Sequence, residues 1–382
     1  MPAMLPVPTD DAPRLTDVLG SSAASLGGGA NAFGLPAASG VVVVLVDGLG
    51  AANLQARAGH ARFLTGRMAK RDVIRTVLPS TTAAALASLT TGRLPGEHGL
   101  VGYRSLDAAN DRLVNQLSGW DAAMVPETWQ RCETVFERAA AAGIDPIVIG
   151  AARYTDSGFT RAVLRGAEYR AAASIADRFS AALELLASRT APLVYLYVPE
   201  LDQAAHAHGW ESDRWLGLLE QVDAEVADFE RRMPRGAGLL VTADHGVVDV
   251  PSHRHVFIDA KADLVEGVRH VGGEPRFLSL YLEPGLGAED RGALLARWRA
   301  AEEHRAWVMS RDEAIDVGVY GAVADEVRPR IGDILVAARA GIAYYDRREP
   351  NRQAELMIGQ HGSLTDDETR VPLIRGGVFR RD

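Results

Sequence analysis

Seven side chains stand out in this sequence for what their types allow and for where they stand beside apolar runs. Asp47 closes the run 41–46 in Val44-Leu45-Val46-Asp47-Gly48. An Asp at the carboxyl end of a buried parallel strand stands where open α/β sheets hold their ligands. Thr82 belongs to the cluster Ser80-Thr81-Thr82, which opens an alanine-rich run. Free amides and positive potential at a helix start suit a phosphoryl group, and a hydroxyl there can attack phosphorus if a metal takes over its oxygen. Helix capping is the simpler reading for Ser80 and Thr81. Asp202 and His206 are four residues apart, so one helical turn puts both on one face, a pairing that suits a divalent metal. Asp244 and His245 are adjacent after the apolar run 238–241, and Gly246 permits the irregular backbone they need to reach a common ion. His361 sits between glycines in Gly359-Gln360-His361-Gly362.

Together these residues provide three carboxylates, three imidazoles and one hydroxyl. Such a set can hold two divalent metal ions about 4 Å apart. The single Cys132 excludes a cysteine cluster, and the oxygen and nitrogen donors favour Zn, with Mn acceptable.

The elements that must position these groups follow from the apolar pattern. The continuous run 41–46 reads as a buried parallel strand. Further strands are expected at 72–78, 146–150, 193–198 and 238–241, and helices at 51–61, 82–91, 134–142, 171–188 and 214–233. This alternation predicts a doubly wound α/β sheet. After residue 250 it loosens. Strands at 277–283, 333–337 and 343–345 and a helix at 289–303 suggest a small α+β insertion. The expected organisation is a surface lead-in over 1–40, a catalytic core over 41–250 and 355–382, and an insertion or sheet extension over 251–354.

Composition narrows the function. The 382 residues are 47% hydrophobic and 24% charged, with a formal net charge of -9. That argues against a disordered chain and against a non-specific nucleic-acid binder. No run approaches the roughly 18 apolar residues of a membrane span. The first 14 residues lack the order of a signal peptide, and one cysteine suits a reducing compartment, so a cytoplasmic location is expected. Gly48-Leu49-Gly50 is no dinucleotide loop, because Asn53 stands where the third glycine is needed. Trp120, Trp129, Tyr103 and Arg104 fall in a loop-rich stretch where a substrate could rest, although packing explains each more simply. His98 reads as structural. The arginine-rich stretch 375–381 reads as solvated charge.

Five segments in order resemble the nucleotide pyrophosphatase/phosphodiesterase (type I phosphodiesterase) family of the alkaline phosphatase superfamily. They are VDGLG at 46–50, PSTTAAALASLTTGRLPGEHG at 79–99, ELDQAAHAHG at 200–209, TADHG at 242–246 and GQHGSLTDDETRVPLI at 359–374. The resemblance implies an alkaline phosphatase-like fold, a central mostly parallel sheet between helices. It implies that Asp47, Asp244 and His245 bind one metal, and that Asp202, His206 and His361 bind the other. In the family the nucleophile stands ten residues before the glycine that closes its helix. Counting back from Gly92 selects Thr82, whose oxygen would also touch the first metal and would carry a covalent phosphothreonine.

The chain departs from the family in one place: Ala83-Ala84-Ala85 stands where many members have Phe-Pro-Asn, so a side-chain contact to phosphate is missing. No counterpart can be placed for the arginine with which phosphomonoesterases grip phosphate. The expected function is a two-metal phosphodiesterase or nucleotide pyrophosphatase acting on a small phosphate ester or nucleotide-like substrate, with neither a nucleic-acid polymer nor a membrane as partner. The alternatives are a phosphomonoesterase, phosphonate hydrolase or phosphomutase of the same superfamily, and more remotely a non-catalytic binding protein on this fold. A sulfatase is not expected, because no Cys or Ser is followed by x-Pro-Ser-Arg.

Overall fold

The structure is a computed structural model that describes residues 5–7, 14–349 and 352–381. Residues 1–4 and 8–13, most of the opening stretch read for a leader, lie outside the described residues. Seven strands form the central sheet: β1 (Gly40–Val46), β2 (Val73–Arg75), β3 (Asp145–Gly150), β4 (Glu168–Ala171), β5 (Pro192–Val198), β6 (Ala237–Thr242) and β7 (Arg370–Gly377). Their spatial order is β2-β7-β6-β1-β5-β3-β4. From β6 to β4 all neighbours are parallel. Only β7 runs against its partners β6 and β2. The sheet is therefore mixed but mostly parallel, and helices flank it, as the sequence predicts.

β1 is central, and every residue in it is buried. A strand covered by helices on both faces must be apolar throughout, which is why it reads GVVVVLV rather than alternating. Each buried valine contributes roughly 1.5–3 kcal/mol, so the strand is both rigid and costly to move. Its register pairs Val46 with Val198 of β5 and Leu45 with Thr242 of β6. The three strands thus end level, and the residues that follow them emerge at one edge.

Within 251–354, the strands Val268–Glu274, Phe277–Leu282, Ala306–Ser310 and Ile334–Ala338 form an antiparallel sheet. It has its own core around Leu280, Trp298 and Val336. Arg276, between the first two of these strands, forms a buried two-pronged ion pair with Glu368, just before β7 (2.7 Å on each prong).

Three expectations need correction. The opening segment is not wholly surface: Asp17–Leu26 is a helix, and Leu15, Val18 and Leu19 are fully buried against the main core. Its glycine- and alanine-rich flanks conceal that apolar patch. Arg375 is not solvated charge, because it lies inside β7 at 9% exposure. The strand expected at 72–78 is only Val73–Arg75. Among the described residues, no helix is long and apolar enough to cross a membrane.

Candidate active site

All seven residues singled out in the sequence come together at the carboxyl edge of β1, β5 and β6. Asp47 directly follows β1, and Asp244 and His245 follow β6 by two and three residues. Gly48, at a φ of +74°, turns the chain where a Cβ would press to 3.0 Å from the Asp202 Cβ. Its amide donates to Asp244 Oδ1 at 3.1 Å, so Asp47 and Asp244 are fixed against one another. Two residues after β5 begins the helix Glu200–His208, which carries Asp202 and His206 on one face as the spacing predicts. Their side chains meet at 3.1 Å.

Thr82 is the first residue of the helix Thr82–Thr91, which is buried throughout. Alanine, leucine and small hydroxyl residues let it pass through the core, and Gly92 ends it in the left-handed conformation. The three hydroxyls at its start have different work. Ser80 Oγ donates to the Ser363 carbonyl at 2.6 Å, and the Thr81 side chain hydrogen-bonds with Glu274. Thr82 Oγ1 lies 3.1 Å from His245 Nε2. The first amides of the helix have no helical acceptor and face the same edge.

The imidazoles are oriented alike. Nδ1 of His206 donates to the Gly359 carbonyl (2.7 Å), Nδ1 of His245 to that of Gly246 (3.2 Å) and Nδ1 of His361 to that of Ser80 (3.0 Å). A carbonyl only accepts, so each Nδ1 carries the proton and each Nε2 presents a lone pair, the arrangement of metal-binding histidines. His245 Nε2 lies 3.5 Å from Asp47 Oδ1 and 3.4 Å from Asp244 Oδ2. Donor atoms around a tetrahedral zinc ion with bonds of about 2.0 Å stand about 3.3 Å apart, so these separations fit. The second set is looser: His361 Nε2 is 4.0 Å from Asp202 Oδ1. His245 also lies close enough to group with Asp202 and His361, and its ring stacks on that of His361 at 3.6 Å.

Asp47 Oδ1, Asp202 Oδ1 and Asp244 Oδ2 are buried and have no hydrogen-bond partner. Among the described residues, no Lys or Arg forms an ion pair with any of these carboxylates. Burial, then the neighbouring Asp244 and Asp202, push the Asp47 carboxyl well above its ordinary pKa. Burial also raises Asp244. Burial works on Asp202 in the same direction, but the surrounding imidazoles, His206 foremost, outweigh it and hold that carboxyl low. Burial and the adjacent His245 hold His361 well below the usual imidazole range. Buried carboxylate oxygens without partners are costly unless a cation joins them, and the donor set therefore fits divalent metals.

Further residues bear on the site. Tyr197, on β5, donates its hydroxyl to Asp47 Oδ2, which leaves Oδ1 free. Glu274 reaches in from the insertion, with Oε2 3.9 Å from His361 Nδ1. Burial raises its pKa to about 8, against the pull of the Thr81 hydrogen bond. A cavity of about 440 Å³ opens beside Thr82, walled by Trp120, Tyr154, Phe159, Tyr195 and Tyr197. Arg153 also lines it. The spacing Tyr195-x-Tyr197 on a strand signals two aromatics on one face. Nothing local marks Glu274 or Arg153. Of the loop residues considered from sequence, only Trp120 lines the cavity. Trp129 is buried, with the Arg330 guanidinium 3.8 Å above its ring.

A sequence model of the type I phosphodiesterase / nucleotide pyrophosphatase family matches residues 41–364. No curated protein sequence matches the chain. Among solved structures, murine ectonucleotide pyrophosphatase/phosphodiesterase 5 is similar at 17% identity, with 88% of each chain covered and a TM-score of 0.66. Phosphonoacetate hydrolase from Sinorhizobium meliloti 1021, solved with phosphonoformate, is similar at 18% identity over 89% of this chain and 91% of that one, with a TM-score of 0.68. The human phosphodiesterase 5 counterpart gives 14% identity, 90% coverage of both chains and a TM-score of 0.66. The fold is that of these proteins, and the match over most of its length makes this chain a member of the type I phosphodiesterase / nucleotide pyrophosphatase family, a family of metal-dependent phosphoric ester hydrolases.

Proposed function

We propose that the protein is a two-metal phosphodiesterase or nucleotide pyrophosphatase that works through a phosphothreonine on Thr82. The observation that carries this reading is the 3.1 Å approach of Thr82 Oγ1 to His245 Nε2, beside carboxylate oxygens without partners. Asp47, Asp244, His245 and Thr82 would hold one divalent cation, and Asp202, His206 and His361 the other, with Zn or Mn suited to these donors. Divalent cations bound there lower the pKa of an adjacent hydroxyl and offset charge on phosphoryl oxygens.

The chain's own residues do the rest. Thr82 Oγ1 attacks phosphorus, forming the Thr–O–P bond as the leaving oxygen departs. Water then cleaves that bond and restores the hydroxyl. The free amides at the start of the Thr82 helix, Ala83 among them, donate to the non-bridging oxygens, in the role of an oxyanion hole. Tyr197 and the three backbone carbonyls keep Asp47 and the imidazoles aimed, and the tyrosine-walled cavity seats the organic part of the substrate. A threonine-to-alanine form of the murine relative is described as inactive and was solved with AMP, which supports both a threonine nucleophile and a nucleotide-like substrate.

The phosphonoacetate hydrolase gives a second reading, phosphonate hydrolysis, at equal structural similarity. Zinc- or manganese-loaded enzyme assayed on bis-p-nitrophenyl phosphate, p-nitrophenyl phosphate and phosphonoacetate separates them. The proposal expects the diester to turn over fastest. Faster release of phosphate from phosphonoacetate overturns it in favour of the second reading.

A further inference from the structure

A second cluster of unpaired charge lies away from the catalytic edge, on β7. Arg375 pairs in register with Leu240, further back along β6 than the Leu373–Thr242 pair beside the catalytic edge. It is 9% exposed. One nitrogen, Nη1, donates to the Phe33 carbonyl at 3.1 Å, whereas Nε is buried with no acceptor. No carboxylate pairs with it among the described residues. Arg375 helps to line a cavity of about 230 Å³, together with Arg71, Asp72, Arg380 and Arg381.

The balance of charge around this cavity is one-sided. Arg67, also on its wall, is taken by Glu230 at 2.6 Å. Arg381 stands 3.6 Å from Asp72 Oδ1, and Asp72 Oδ2 already accepts the Ala69 amide at 2.9 Å. Arg71 and Arg380 form no ion pair among the described residues. Among the described residues, three guanidinium groups, those of Arg71, Arg375 and Arg380, are thus left without a carboxylate in a protein whose net charge is -9. Arginine stays charged, and a buried guanidinium without a counter-charge is destabilising. Its planar fork matches the oxygens of phosphate. A cavity of about 230 Å³ suits a compact anion rather than a flat surface or a polymer. None of these residues lines the cavity at Thr82.

We infer that the cavity bounded by Arg71, Arg375 and Arg380 is a binding site for a compact oxyanion of the phosphate class, separate from the catalytic centre. Arg375 is the buried member of the three arginines that line the site, and Arg71 and Arg380 are its exposed members.

The test is calorimetric titration of the metal-loaded enzyme with inorganic phosphate at constant ionic strength, with chloride as control. The wild type is compared with the Arg71→Ala/Arg380→Ala variant, which replaces exposed side chains only. The wild type takes up phosphate at two sites, one competitive with substrate and one not. In the variant the non-competitive site weakens at least tenfold, while hydrolysis and its inhibition by phosphate stay unchanged. A melting curve shows in addition that phosphate raises the midpoint of the wild type more than that of the variant. Identical isotherms and midpoint shifts for the two proteins overturn the inference, as does a chloride response equal to that of phosphate.

Discussion

His361 and Glu368 stand seven residues apart and belong to two buried charge clusters built on opposite terms. At Glu368 every polar atom is used. Oε1 accepts from Arg276 Nε and from the Ser363 amide, and Oε2 from Arg276 Nη2 and Thr365. The remaining Arg276 nitrogen donates to the Ala340 and Ile342 carbonyls (2.9 and 2.8 Å). At His361 and its neighbours four carboxylate oxygens, on Asp47, Asp202, Asp244 and Glu274, have no partner, and no Lys or Arg among the described residues balances them. The satisfied cluster fastens the insertion to the core. The unsatisfied one leaves buried carboxylate oxygens open and groups residues that could hold a cation. The difference is between charge neutralised within the fold and charge left without a counter-charge.

The comparison breaks first at the joint. Glu368→Ala should lower unfolding stability by about 3–5 kcal/mol, because Arg276 is left buried and unpaired. Urea unfolding measures it, and a loss below about 1 kcal/mol would make the joint incidental. At the catalytic edge the expected cost falls on activity. Thr82→Ala, Asp202→Ala or His361→Ala should each slow hydrolysis of an aryl phosphodiester at least about 100-fold, a barrier of about 2.7 kcal/mol. The same region should gain stability when crowding is relieved, so metal-free Asp47→Asn should melt above the metal-free wild type. A lower midpoint would mean that the three aspartates are balanced by something else.

His98 tests the satisfied side by pH. It is fully buried, accepts the Leu100 amide at Nδ1 (3.1 Å) and shares a hydrogen with Ser88 Oγ at Nε2 (2.8 Å). Burial, aided by Arg330, holds its pKa near 3 against an ordinary 6.5. A depressed imidazole stabilises fully above 6.5 and loses that contribution as pH falls toward 3. By pH 5 the loss is about 2 kcal/mol. Urea unfolding at pH 7 and pH 5 should show His98→Gln to be the less pH-dependent protein. The smallest effect belongs to Tyr197→Phe. Loss of the hydroxyl that steadies Asp47 should weaken zinc binding about tenfold, as a zinc titration against a competing chelator reads out.

Residues whose place is fixed by local pattern were legible in the sequence. Asp47 ends an apolar run, Asp202 and His206 share a helical turn, and Asp244-His245 follows another strand, so each could be placed at a sheet edge before any fold was known. The buried valines of β1 were equally plain. Glu274 and Glu368 were not legible, because each owes its role to a partner far away in sequence. Arg375 misled for the same reason. An arginine among arginines reads as surface, and only its pairing in β7 buries it. The helix Asp17–Leu26 escaped because glycine- and alanine-rich flanks mask its short apolar stripe.

The most direct measurement is anomalous diffraction at the zinc edge from crystals of the zinc-loaded protein. The account predicts two peaks about 4 Å apart, one within bonding reach of Asp47, Asp244, His245 and Thr82 Oγ1, the other within reach of Asp202, His206 and His361. A single peak that bypasses Thr82, or no peak at this edge of the sheet, would contradict it.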